Sequence, residues 1–201
     1  MELLGIIGGT FDPIHYGHLV LAEKAREAYN LSKIIFVPAA IPPHKIGEVT
    51  TTAEDRLQMV ELAIEGNSHF EVSSVELNRQ GPSYTIDTLH ELKATYSGQA
   101  ALIVGFDSLL ELYTWRDYQT ILKEAKIITA FRPGYPVLKN EADWPAFLQA
   151  YLEQILILEA PLLAISSTWL RVELMYERSI RYLVPEQVRE YIQEKKLYNR
   201  F

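Results

Sequence analysis

A chain of 201 residues, 48% hydrophobic and 22% charged, is sized for one domain with a sizeable buried core. Its formal net charge of −7 argues against a general nucleic-acid binder, which would be basic. The absence of cysteine excludes disulfides, thiolate nucleophiles and Cys-ligated zinc, and agrees with a cytoplasmic location.

In chain order, the apolar run 3–7 reads as a short buried strand, and 18–29 as a helix burying Leu19, Ala22, Ala25 and Ala28. A second strand, 34–37, stops at Pro38 and opens a long loop with three prolines and a glycine, the kind of loop that carries function. Thr51 and Glu54 form a capping-box pattern for a helix with Leu57, Val60 and Ile64 inward. A strand over 70–77 and a helix using Ile86, Leu89, Leu92 and Tyr96 follow. Next come a strand at 100–104, a helical stretch 108–124 broken near Trp115, and a strand at 126–131 stopped by Arg132-Pro133-Gly134. A helix at 144–152, a strand at 155–158 and helices at 167–177 and 185–196 complete the chain. The start of the chain lacks the basic residues of a secretory signal, and no stretch reaches the ~18 apolar residues of a spanning helix, so no membrane partner is expected.

Short strands, apolar on both faces and alternating with helices, point to an α/β fold. It is a Rossmann-like parallel sheet with helices on both faces, in a single domain spanning 1–201, with the helices from about 167 packed on it. Ligands of such sheets bind at the carboxyl ends of the strands. The residues there are 8–18, 38–45, 105–107, 132–134 and 165–171.

Residues 8–19 read GGTFDPIHYGHL. Gly8 and Gly9 fit neither a dinucleotide fingerprint nor a Walker loop, but they allow close backbone approach to a ligand. His15 and His18 share a face if they form one helical turn, beside free amides and a positive dipole end suited to phosphate. Two histidines with no third ligand nearby make a poor zinc site. The local chemistry leaves open both phosphate binding and an ordinary structural pair of histidines. The stretch 165–171, ISSTWLR, places Ser166 and Ser167 to cap a helix with Arg171 one turn further on, a second cradle for phosphate. Arg56, Arg79 and Lys123 read as solvated charges, and Arg116 carries no assigned role.

With Gly8-Gly9-Thr10-Phe11-Asp12-Pro13-Ile14-His15-Tyr16-Gly17-His18, the chain resembles the nucleotidyltransferase superfamily at its His-x-Gly-His motif. Ser166-Ser167-Thr168-Trp169-Leu170-Arg171 is similar to the superfamily's Ser-Ser-Thr-x-x-Arg motif. From residue 3 to the C-terminal YLVPEQVREYIQEKKLY the chain resembles bacterial nicotinate-nucleotide adenylyltransferases, with Pro42-Pro43-His44-Lys45 and Ser83-Tyr84-Thr85 as softer marks. The resemblance implies transfer of the adenylyl group of ATP to nicotinate mononucleotide, with Mg²⁺ accompanying ATP and no protein metal ligands. A phosphopantetheine adenylyltransferase-like activity is the alternative.

By the same resemblance His15, His18 and Arg171 are catalytic, and Gly8, Gly9, Thr10, Gly105, Asp107, Ile165, Ser166 and Ser167 complete the ATP site. Thr85 offers its amide to the nicotinate carboxylate, Trp115 stacks on the pyridine ring, and Arg132 and Lys45 contact phosphate. The family's Gly-Ala-Asp or Gly-Gly-Asp is replaced here by Gly105-Phe106-Asp107, so Phe106 either sits outside the pocket or narrows its adenosine side. Related enzymes vary in assembly, which leaves room for a homo-oligomer.

Overall fold

The structure, a computed structural model, describes residues 2–43, 50–130, 140–161 and 163–198. Six strands form one sheet: β1 (Leu3–Gly9), β2 (Lys33–Pro38), β3 (Phe70–Val72), β4 (Gln99–Gly105), β5 (Ala125–Ala130) and β6 (Ile155–Leu158). The order is β3-β2-β1-β4-β5-β6 and every pairing is parallel. This is the expected α/β architecture. No helix among the described residues is long and apolar enough to cross a membrane.

Strict alternation along the strands feeds two cores. Ile7, Ile34, Phe36, Ala101 and Ile103 face one side, where α1 (Tyr16–Tyr29), α2 (Ala53–Ile64), α7 (Ser167–Met175) and α8 (Glu186–Glu194) cover them. Leu4, Ile6, Ile35, Val37 and Leu102 face the other. That side is covered by α3 (Thr85–Thr95), α4 (Phe106–Leu110), α5 (Tyr118–Glu124) and α6 (Ala146–Gln149). The C-terminal helix is tied down by Val188 and Ile192, both buried, and by the Tyr191 phenol donating to Asp55 at 2.8 Å.

Several boundaries differ from the sequence reading for identifiable reasons. The buried face of α1 is Ala22 and Ala25, with Leu19 and Tyr29 packed on the core, while Ala28 is exposed. Three successive steps of three residues drift about half a turn around a 3.6-residue helix, so Ala28 ends opposite Leu19. The cap of α2 is Thr52, which accepts from the Asp55 amide at 3.1 Å; Thr51 instead donates to Asp12 at 2.6 Å. Met59, Val60 and Ile64 line the buried face of α2, with Leu57 half-buried. β3 covers three residues where eight were expected, because the chain turns after Ser73. The expected helix 144–152 shrinks to α6 and a 3₁₀ turn at Leu152–Gln154.

The register shows where the sheet opens. β1 stays paired with β2 from Leu4 to Gly9, but its pairing with β4 runs only from Leu3 to Ile6. The carboxyl ends of β1 and β4 therefore part at the point where the strand order reverses, which leaves a cleft. Lower down, the core on the α1 and α2 side packs tightly against β1. A Cβ added at Gly5 would lie 2.4 Å from Ile34 Cδ1 and 2.9 Å from Leu31 Cδ1, and both side chains are buried. Gly5→Ala is expected to cost about 1–3 kcal/mol by overpacking. Urea titration would show a lower midpoint at unchanged slope.

Candidate active site

β1 ends at Gly9, and the chain turns through Phe11, whose φ of 51° is a left-handed conformation that a bulky residue adopts only when its surroundings hold it there. The Phe11 ring is buried against Phe36 and meets His18 edge-on, with centroids 5.1 Å apart. His15 caps α1 in extended backbone, and its amide donates to His18 Nδ1 at 3.3 Å. A neutral His18 then carries its proton on Nε2, as a donor. The two imidazoles stack at 3.7 Å with 21° between planes. Gly17 makes this possible: a Cβ there would sit 2.9 Å from both Cε1 and Nδ1 of His15. The glycine before the second histidine is where the first histidine's ring lies.

The second motif docks onto the first. Ser166 caps α7 by accepting from the Trp169 amide at 3.2 Å. Ser167 Oγ donates to the Pro13 carbonyl at 2.9 Å, and Arg171 Nη1 donates to the Asp12 carbonyl at 2.9 Å. Two helix N-termini, far apart in sequence, are thereby brought together over the end of β1. The dipoles of both helix ends suit an anion, while the Tyr16 amide of α1 is taken by the Leu183 carbonyl and the His18 amide by the His15 carbonyl, both at 3.0 Å.

A residue expected to be solvated supports the first motif. Arg56 is 1% exposed and donates to three main-chain carbonyls, Thr10 at 2.8 Å, Ala39 at 2.6 Å and Ala40 at 3.3 Å. It fastens the loop after β1 to the loop after β2 from below. Burial holds its pKa below the ordinary arginine value, opposed by Asp12, Tyr198 and nearby glutamates. The signal was present in the sequence: positions 56, 60 and 64 share one helical face, so the apolar pattern itself buries Arg56.

Across the cleft, Ser83, Tyr84 and Thr85 lead into α3, which opens at the Thr85 amide and closes its first turn with the Asp87 amide on the Tyr84 carbonyl at 3.1 Å. Trp115 follows a 3₁₀ turn (Leu112–Thr114), half-buried beside them, and the Arg116 guanidinium lies 4.8 Å from the centre of the Tyr84 ring. Glu76 was not foreseen either. It is 7% exposed and accepts from Thr88 Oγ1 at 2.5 Å, and burial pushes its carboxyl above the usual range. Phe106 is buried in the core beneath the cleft, edge-on to Trp144, so its bulk lies outside the pocket.

All these elements border one cavity of about 720 Å³. Gly8, Gly9, Thr10, His15 and His18 line it from the β1 side, Gly105 and Asp107 from the β4 side. Ile165, Ser166, Ser167 and Arg171 close one end, and Thr85 and Trp115 the other. A Cβ at Gly8 or Gly105 would meet nothing within 4 Å, so the missing side chains leave the space over the strand ends open. Lys45 and Arg132, with the neighbouring His44 and Pro133-Gly134, lie outside the described residues. Among the described residues no three His, Asp or Glu side chains converge as a metal site.

A parallel sheet with its site at the order reversal and two helix N-termini brought to it is an architecture suited to phosphate-bearing ligands. The chain belongs to the cytidylyltransferase-like family, whose profile matches residues 6–173, and within it to the nicotinate-nucleotide adenylyltransferases. A protein of Desulfitobacterium hafniense (strain Y51) named "Probable nicotinate-nucleotide adenylyltransferase" is 45% identical over 196 residues, 97% of this chain and 95% of its own length. One of the same name from Moorella thermoacetica is 47% identical over 197 residues, covering 97% of this chain and 91% of that one. The structure of a Plasmodium falciparum nicotinic acid mononucleotide adenylyltransferase complexed with NaAD superposes with a TM-score of 0.78 over 98% of both chains. At 21% identity it shows a shared fold.

Arg56→Met keeps the volume but strands the carbonyls of Thr10, Ala39 and Ala40 in the interior. It is expected to cost about 3 kcal/mol or more in urea unfolding. Arg56→Lys, with one point of attachment in place of a fork, should recover only part of that.

Proposed function

We propose that this cavity transfers the adenylyl group of ATP to nicotinate mononucleotide, giving nicotinate adenine dinucleotide and pyrophosphate in NAD biosynthesis. The observation that carries the reading is the docking of α7 on the histidine loop through Ser167 and Arg171, which directs two cationic or donor-rich helix ends at one cavity. The full-length similarity to relatives bearing that name supports the choice of substrates.

An oxygen of the mononucleotide phosphate attacks the α-phosphorus of ATP in line. The bond to the bridging oxygen breaks, and pyrophosphate leaves with that electron pair. The nucleophile is already an anion, so neither a general base nor a covalent intermediate is needed. Catalysis reduces to alignment and charge stabilisation. His18 sits nearest the reacting phosphorus, with His15 behind it on the ATP phosphates. Thr10 and the backbone at Gly8 and Gly9 face the same group. Ser167 and Arg171, with Ser166 and Ile165 shaping the turn, take the β- and γ-phosphates as charge gathers on the leaving group. Gly105 and Asp107 face the adenosine ribose.

At the other end the amide of Thr85 reads the nicotinate carboxylate and Trp115 offers its face to the pyridine ring. Arg132 and Lys45 are assigned to phosphate. The chain offers donors and cations for the phosphates, and among the described residues no cage of carboxylates, so Mg²⁺ would come in on ATP, held by phosphate oxygens and water. Bound there, it neutralises phosphate charge. Small soluble substrates support a cytoplasmic location.

Pyrophosphate release from ATP and Mg²⁺ should be strong with nicotinate mononucleotide and weaker by at least about tenfold with nicotinamide mononucleotide, whose neutral amide mismatches the Thr85 donor. Comparable rates with both would refute the carboxylate-reading pocket. Release with neither would move the acceptor to another phosphate compound such as phosphopantetheine. His18→Ala should lower kcat by about 10²–10³-fold while the urea midpoint stays close to that of the parent. Unchanged turnover would remove His18 from the chemistry.

A further inference from the structure

One buried carboxylate beside the phosphate end of the cavity has no part in the roles above. Asp12 is 1% exposed, and both its oxygens are in use. Oδ1 accepts from the Thr51 hydroxyl at 2.6 Å and from the Tyr198 phenol at 2.7 Å. Oδ2 accepts from the Thr50 amide at 2.9 Å and the Thr50 hydroxyl at 3.1 Å. Four donors saturate the four lone-pair sites of a carboxylate. The guanidinium of Arg171 stands beside this group, yet its Nη1 is 4.0 Å from Oδ2, well beyond the roughly 2.7–2.9 Å of a closed charge-assisted pair. Nη1 bonds the main-chain carbonyl of the same aspartate instead, and Nη2 reaches Thr168 Oγ1 at 3.4 Å. With its side chain 19% exposed, Arg171 still borders the cavity.

Asp12 is therefore shared among neutral donors rather than paired with the adjacent cation. Were Oδ1 to lose a donor, the carboxylate would gain most by turning to the guanidinium, because a hydrogen bond to a charged partner is the stronger. The fork would then be spent inside the protein. Of the four donors, the Tyr198 phenol comes from farthest away, 186 positions along the chain. It remains protonated, because burial and the Asp12 carboxylate both push its pKa up.

We propose that Tyr198 is a positioning residue of the phosphate site, holding Asp12 so that the Arg171 guanidinium stays available to a ligand phosphate. The C-terminal tail is thus part of the site's scaffold. The proposal rests on the reading of Arg171 as a phosphate ligand.

Tyr198→Phe removes one O–H and keeps the ring. Titration calorimetry with ATP and with inorganic pyrophosphate, without acceptor, should show binding weakened roughly three- to tenfold. The KM for ATP should rise in step, while that for nicotinate mononucleotide moves much less. Repeating the substitution in an Arg171→Gln background separates positioning from general loosening. Pyrophosphate affinity should then show no further change, because the group through which Tyr198 acts is gone. Thr51→Val, which deletes the other O–H on the same oxygen, should reproduce the shift if Tyr198→Phe fails to fold. Unchanged pyrophosphate affinity in the single variant, or an equal loss in both backgrounds, overturns the proposal. A parent protein that binds neither ATP nor pyrophosphate would refute the phosphate reading itself, and this inference with it.

Discussion

Everything at the site depends on one constraint of an all-parallel sheet: every strand delivers its carboxyl end to the same edge. The order reversal between β1 and β4 then sends the following segments to opposite faces, α1 to one and α4 to the other. The strand ends have to part there, and the register records it, since β1 leaves β4 after Ile6 while keeping β2 to Gly9. The cleft is a topological consequence and needs no special residue to open it. What the residues decide is its lining, and here the chain places glycine at both strand ends, Gly8–Gly9 and Gly105.

A cleft proposed to receive phosphates must not fill itself with its own counter-charges. The chain carries a net charge of −7, so carboxylates are plentiful. The nearest buried one, Asp12, is occupied by hydroxyls and an amide, and Glu76 is occupied by Thr88. The buried cation Arg56 is likewise turned to carbonyls and not to a carboxylate. All three charged groups serve as scaffolding bonded to backbone and neutral side chains, with the Arg56 Nε alone of its nitrogens left without a bond. Burying them is expensive unless most of their bonds are made, which ties the loops they hold to one arrangement.

The strands and the two motif stretches that line the cavity could be read from the sequence because each is local. Apolar runs bounded by Gly and Pro mark strand ends, and Gly-Gly, His-x-Gly-His and Ser-Ser-Thr-x-x-Arg each fall within a few residues. Choices made by distant partners could not be read so. Thr51 and Thr52 each precede an acid by three residues, so local chemistry cannot say which caps α2. Asp12 takes Thr51, leaving Thr52 to cap. Tyr198 carries no local mark at all, because its partner is at the other end of the chain. Arg56 is the instructive case: helical spacing put it on the apolar face, but a charge in that position was assigned to solvent by residue type alone.

The stacked histidines join local and distant control. Their separation of three positions is a sequence feature, but stacking needs three further conditions. Gly17 must leave room for the His15 ring, Phe11 must stand edge-on to His18, and the Phe11 backbone must be kept in its left-handed turn. That turn is held on one side by Arg56 on the Thr10 carbonyl and on the other by Arg171 on the Asp12 carbonyl. Arg171 is thus tied to the histidines mechanically as well as being assigned to the same ligand. In a reaction that needs alignment more than proton transfer, such coupling has a direct use. On the proposed reading, a phosphate that engages Arg171 would pull on the same turn that aims His15 and His18, so binding at one end of the triphosphate would bear on the geometry at the reacting phosphorus.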